Sequence, residues 1–197
     1  MIVVDVETTG LDPRKNSIVS VGALDMYNPK NQFYKECKIW DGAEVSDMAL
    51  KINGFSREEI TNPNKESLDS LVNSFIDWTK DIPNATIAGE NPSFDRDFLK
   101  YSAKMYGIDW KFTHRTIDMH SICYAHQEKR GLSIPLKNSS SNLNSGLILN
   151  YVGLPEEPMP HNALMGAKME AEAFSRLIYG KILLEEFEEH PIPEYLL

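Results

Sequence analysis

Period-two alternation runs through the chain up to Ile39 and then gives way to helical spacing, an order that limits the folds open to it. Ile2-Val3-Val4 begins one strand, and after the turn signal Asp12-Pro13 the run Ile18-Val19-Ser20-Val21-Gly22-Ala23-Leu24 reads as a second. Asn28-Pro29-Lys30-Asn31 turns the chain again, and Gln32 to Ile39 alternates as a third strand. Three strands joined by short turns make an antiparallel meander. Helical apolar spacing follows at Leu68, Leu71, Val72, Phe75, Ile76 and Trp78, at Phe94, Phe98, Leu99 and Tyr106, and at Leu143, Leu147, Leu149 and Tyr151; Ala163 to Tyr179 is the last long helix. Thr86-Ile87-Ala88 and Arg115 to Ile117 are brief strands among these helices, Met119 to His126 is helical, and the Ser/Asn-rich Lys137 to Ser145 is a loop or helix entry. The expected architecture is an α/β domain: a mixed five-stranded sheet, three antiparallel strands plus two parallel, flanked by helices.

The first strand ends in chemistry. Asp5 and Glu7 lie two apart, so in an extended chain both project from the same face, and Thr8-Thr9-Gly10 follows at once. Two adjacent carboxylates repel each other; a hard divalent cation is the usual compensation, and a solvated strand end is the plainer alternative. Distant residues decide between them. Ala88-Gly89-Glu90-Asn91-Pro92-Ser93-Phe94-Asp95 carries an acid into a helix, and a Pro-rich loop delivers His161 to the start of the last helix at His161-Asn162-Ala163-Leu164-Met165-Gly166-Ala167. Taken singly, an aspartate at a helix start or a histidine after a proline is ordinary.

At 197 residues the chain makes one well-buried domain. A formal charge of −9 argues against a broad electrostatic surface for nucleic acid, though not against a local basic groove. Cys37 and Cys123 have no CxxC partner, so neither a zinc site nor a disulfide framework is indicated. With no leader-like or membrane-spanning apolar run, the expected setting is the reducing cytoplasm, with no membrane partner. Glu185, Glu186, Glu188, Glu189 and Glu194 face only Lys181 nearby, which sets residues 181–197 apart from the 1–180 domain as an acidic tail. The apolar end Pro191 to Leu197 docks on the domain or on a partner, or stays free.

In order and spacing, Asp5-Val6-Glu7-Thr8-Thr9-Gly10-Leu11-Asp12, then Asn91 with Phe94-Asp95, then His161, resemble the DEDDh (DnaQ-like) 3′–5′ exonuclease superfamily, whose fold is ribonuclease H-like and whose members include polymerase proofreading subunits and RNA-processing nucleases. The similarity covers roughly residues 1 to 180, with Ala49 to Ile60 like the family's helical insert and Thr116-Ile117-Asp118 like its late strand. The resemblance implies two divalent cations, Mg²⁺ or Mn²⁺, about 4 Å apart, stabilising the attacking and leaving oxygens of a phosphodiester. It implies that Asp5 bridges both ions, Glu7 holds the ion that activates water, Asp95 holds the second, and His161 takes the proton of the attacking water. Thr8, Thr9, Gly10, Leu11, Asn91 and Phe94 would surround the terminal nucleotide.

One position departs from the pattern. The family expects an aspartate five residues after the histidine, and this chain has Gly166. Three readings stand open: Glu170, four residues on and on nearly the same helix face, reaches back in compensation; an attenuated nuclease uses water there; or the fold is a module that binds nucleic-acid ends or a partner protein without cutting. Glu172 is turned to the opposite side. Lys100, Lys104, Lys111, His114 and Arg115, with Lys129, Arg130 and Lys137 next, are the local basic groups, either lining a path for a few phosphates or simply solvated. So few of them favour a short single-stranded DNA or RNA 3′ end over a long duplex. A polymerase or another nucleic-acid-processing protein is the expected protein partner. Trp40 and Trp110 offer stacking surfaces, while Trp78 falls on a core-facing stripe.

Overall fold

The computed structural model describes residues 1–197. Its centre is a five-stranded sheet in the order β3-β2-β1-β4-β5, built from β1 (Ile2–Thr8), β2 (Ile18–Asp25), β3 (Asn28–Glu36), β4 (Ile87–Gly89) and β5 (Ile117–Asp118). β1, β2 and β3 pair antiparallel; β4 runs parallel to β1, and β5 parallel to β4. This is the mixed sheet expected from the order of alternating and helical segments.

β1 lies at the centre, buried on both faces, and its alternation divides the core. Ile2, Val4 and Val6 pack with α3 (Leu68–Trp78) and α4 (Pro92–Met105). Met1 and Val3 enter the opposite cluster, with Ala167, Ala171 and Phe174 of α7 (Ala163–Tyr179) and with α5 (Met119–Lys129) and α6 (Ser145–Tyr151). Asp5 and Glu7 continue the Val3 row and therefore face α7. α7 approaches closely because β2 has Gly22 beneath it: a Cβ there would run into the backbone of Ala163 and Leu164.

β3 begins four residues earlier than the alternation suggested. The turn is made by Met26-Tyr27, with Asp25 paired to Asn28 and the Asp25 carboxylate accepting the Tyr27 N–H at 3.0 Å. Pro29 is tolerated inside the strand because β3 is a sheet edge, where a missing N–H breaks no ladder. The Ser/Asn-rich segment also holds an unanticipated hairpin, β6 (Leu136–Lys137) against β7 (Ser140–Ser141), turned by Asn138 and Ser139 at φ 51° and 61°. The late strand is Ile117–Asp118, and Asp118 caps α5 by accepting the His120 N–H.

Residues 181–197 do not stand apart as a tail. Leu184, Phe187 and Leu196 are buried in the α7-side cluster, while Glu185, Glu186, Glu188 and Glu189 remain exposed around them. The anchor is a fully buried pair on α7: Arg176 donates to Glu172 at 2.7 Å and to the carbonyls of Val152, Phe187 and His190, and the Glu172 carboxylate accepts the Leu183 and Leu184 N–H groups. Glu172 is thus occupied on the side away from the acids of β1. No helix is long and apolar enough to cross a membrane.

Candidate active site

A cleft of about 570 Å³ opens at the C-terminal ends of β1 and β4, and Asp5, Glu7, Asp95, His161 and Glu170 all line it. Each arrives by a different route. Asp5 and Glu7 come from β1. Asp95 is in the first turn of α4, which Asn91 starts in the left-handed conformation (φ 51°) and Pro92 enters at a position where its missing N–H costs nothing. Its carboxylate accepts the Val6 N–H at 3.0 Å, which fixes helix to strand at the site.

His161 is set by α1 (Asp47–Asn53), in the segment between β3 and α3 that also contains α2 (Arg57–Ile60). Its backbone N–H donates to the Ile52 carbonyl at 2.9 Å, and the Asn53 amide donates to the Thr8 carbonyl at 3.0 Å. α1 therefore ties the end of β1 to the loop carrying the histidine. Met48, Ala49 and Ile52 also line the cleft, with Leu11 and Phe94, and Met48 and Leu11 are 66% and 85% exposed. The exposed apolar rim can hold a flat apolar ring, and the carboxylate floor beneath it is placed to hold cations. Leu11 and Phe94 belong to the expected surround of the terminal nucleotide; for Met48, Ala49 and Ile52 only the likeness of Ala49 to Ile60 to a helical insert gave a hint.

Thr8, Gly10, Leu11, Asn91 and Phe94 reach the cleft as expected, but Thr9 does not. It is fully buried, its hydroxyl donating to the Glu44 carbonyl at 2.7 Å and accepting the Ser17 N–H at 2.9 Å. β1 ends at Thr8 after a register shift at Glu7, and Thr9 turns inward to these backbone partners instead of facing substrate. The tryptophans are not open stacking surfaces: Trp40, Trp78 and Trp110 are half-buried against the core, and Trp40 and Trp78 donate to Asn16 and Asn31. The basic residues are divided. Lys100 and Lys104 line a groove with Arg14 and Tyr101 that shares Leu11 with the cleft, whereas Lys111 and Arg115 line a separate pocket beside Thr86.

Two acids of the cleft, Glu90 and Glu157, were not anticipated from the sequence. Glu157, in the loop before His161, lines the cleft, and ligand atoms of Glu7, Glu157 and His161 all lie within 4.8 Å of one another. The signal was present in Glu156-Glu157-Pro158, just upstream of the histidine, but acids beside prolines are common in surface loops.

Burial dominates the electrostatics. It pushes Asp5 well above the usual carboxylate range, helped by the charges of Asp95, Glu170, Glu7 and Glu157. It raises Asp95 to about 8 and Glu7 to about 7, and it raises Glu157 and Glu170 as well. No lysine or arginine lines the cleft to offset these acids. One carboxylate oxygen each of Glu157 and Glu170 is buried without a hydrogen-bond partner. Crowded carboxylates, two with an unpartnered oxygen and none offset by a lysine or arginine, fit hard divalent ions.

Comparison with known proteins agrees with the geometry. Residues 2–174 match the model of the RNase_T family, described as exonuclease. The 3′–5′ DNA exonuclease Cap18 of Escherichia coli is 29% identical over 180 residues, 89% of each chain. A PolC-type DNA polymerase III of Thermotoga petrophila is 28% identical over 179 residues, 90% of this chain but only 12% of that protein. Among solved structures, the nuclease domain of 3′hExo, a DEDDh family member bound to rAMP, superposes with a TM-score of 0.67 at 16% identity, covering 93% of this chain and 94% of that one.

Proposed function

The chain belongs to the RNase_T exonuclease family, a 3′–5′ exonuclease by that membership, and on this premise we propose that it trims single-stranded nucleic-acid 3′ ends with Mg²⁺ or Mn²⁺. The observation carrying this reading is the convergence of Asp5, Glu7, Asp95 and His161, from three separated stretches of sequence, on one cleft without a lysine or arginine. When bound, the divalent ions polarise the phosphodiester and lower the pKa of water. Asp5, central in the floor among Asp95, Glu170, Glu7 and Glu157, would be shared between the ions; Glu7 lies on the side of His161, and Asp95 and Glu170 lie toward β4. His161, with 35% of its side chain exposed at the rim, receives the proton of the attacking water and passes it to solvent. Leu11, Met48, Ile52 and Phe94 hold the terminal base, and Thr8, Gly10 and Asn91 face its sugar. Lys100 and Lys104 take phosphates further along the strand.

Both cysteines are free and buried, which supports a reducing cytoplasm as the working compartment. The match to one stretch of a much longer polymerase supports a polymerase or another nucleic-acid-processing protein as partner. Gly166 alone favours a second reading, a module that binds 3′ ends without cutting. The test is digestion of 5′-labelled single-stranded DNA and RNA with Mg²⁺, Mn²⁺ or EDTA, on the native protein and Asp5→Ala. Stepwise shortening from the 3′ end that needs metal and Asp5 is expected; intact oligonucleotide under every condition would leave the binding module standing.

A further inference from the structure

Gly166 leaves a space in the wall of the cleft. A Cβ built there runs into the Asp5 carboxylate, and after Asp5 its nearest neighbour is a Glu157 carboxylate oxygen at 3.3 Å. That Glu157 oxygen is one of the buried, unpartnered ones. The other Glu157 oxygen lies 3.5 Å from His161 Nδ1, and the Glu157 side chain is 16% exposed. Glu170 goes elsewhere: its unpartnered oxygen lies 3.0 Å from the Cβ position of Gly89, at the end of β4. The glutamate from the next helical turn therefore serves the β4 side, and the side holding Glu7 and His161 is served by the loop.

We propose that Glu157 is a ligand of the divalent cation on the Glu7 side of the cleft, supplying from the loop before His161 the carboxylate that α7 lacks at Gly166. The inference rests on the metal-dependent reading above and deepens it. Three features agree. One carboxylate oxygen each of Glu7 and Glu157 lies within 4.8 Å of the other and of a His161 ring nitrogen, so both acids can reach one ion beside the base. An isolated buried carboxylate oxygen is costly unless a cation or donor meets it, and no lysine or arginine lines the cleft to do so. Finally, glycine at 166 is what permits the arrangement, since any side chain there would occupy the space into which Asp5 and Glu157 converge.

The 197-residue chain is titrated calorimetrically with Mn²⁺, with electron paramagnetic resonance reporting whether two bound ions are spin-coupled. The variants are Glu157→Gln, Glu157→Asp, Asp5→Ala and, as control, Glu156→Gln at an exposed neighbour. Wild type and Glu156→Gln are expected to bind two coupled ions. Glu157→Gln should weaken one of them at least tenfold and lose the coupled signal, with Glu157→Asp in between; if Gln at 157 prevents folding, Asp carries the comparison. Two coupled ions of wild-type affinity in Glu157→Gln would overturn the proposal even if turnover falls, because Glu157 would then act only by positioning His161. If wild type itself binds no Mn²⁺, the metal-dependent reading fails as well; if Asp5→Ala loses ions that Glu157→Gln keeps, only the role of Glu157 fails.

Discussion

Replacing Arg176 with methionine removes a fully buried, multiply bonded anchor while keeping an unbranched apolar stem. The guanidinium is fully buried, and it donates to Glu172 at 2.7 Å, to Val152 at 3.0 Å and to Gly153 at 3.4 Å beyond α6, and to Phe187 at 3.2 Å and His190 at 2.9 Å in the C-terminal segment. Methionine leaves the Glu172 carboxylate buried with only the Leu183 and Leu184 N–H groups, at 2.8 and 3.0 Å. Breaking a buried pair from one side costs about 3–5 kcal/mol, chiefly the charge left behind. That is a large part of the roughly 5–15 kcal/mol that holds a domain together. At about 2–4 °C per kcal/mol for this size, the melting temperature should fall by about 6–20 °C. Glu172→Met in the same chain removes the orphaned charge, so the double variant should be more stable than Arg176→Met alone. Urea unfolding followed by tryptophan fluorescence measures the loss, and limited proteolysis shows whether the C-terminal segment is released first. A single-variant loss below about 1 kcal/mol, or a double variant as unstable as the sum of its singles, would refute the argument.

Further outcomes follow from the same structure. In EDTA, stability should decline as pH rises from about 4 to about 8, because Asp95 and Glu7 have folded-state pKa values raised to about 8 and about 7 and so bind protons more tightly folded than unfolded; their contribution is complete below the unfolded pKa and lost as pH passes the folded one. Urea midpoints at pH 5 and pH 8 with and without Mg²⁺ check this, the metal being expected to restore the loss at pH 8. Gly22→Ala drives a Cβ into the Ala163 backbone and should cost about 1–3 kcal/mol or more by urea unfolding, with reduced activity because α7 is displaced. The pair Lys100→Ala and Lys104→Ala should weaken binding of a long single strand but not of a dinucleotide, and should reduce the slope of log K against log salt by about 0.7 for each phosphate no longer neutralised, measured by fluorescence anisotropy.

What could be read directly from the sequence was whatever depends on neighbours along the chain. Alternation placed β1 and β2, helical spacing placed α3, α4 and α7, and the two-residue step from Asp5 to Glu7 put both acids on one face. The family motif then brought Asp95 and His161 to them. The errors arose where a residue has two locally allowed readings. Asn28-Pro29 signals a turn unless the strand is a sheet edge, and Thr9 belongs to the substrate motif until its hydroxyl is matched to Glu44 and Ser17. Five acidic residues among 181–197 masked Leu184, Phe187 and Leu196, whose burial depends on Arg176 reaching across from α7.

Gly166 marks the boundary between the two kinds of information. From the sequence it is an absent carboxylate with Glu170 as the nearby candidate, because helical geometry alone relates residues four apart. Tertiary structure turned Glu170 toward β4 and brought Glu157 to the gap, through a loop whose path is held by the His161 N–H on Ile52. Period and spacing are local properties that a sequence states openly. Whether a buried carboxylate meets a donor, a cation or nothing depends on groups distant in the chain, and only the folded arrangement brings those together.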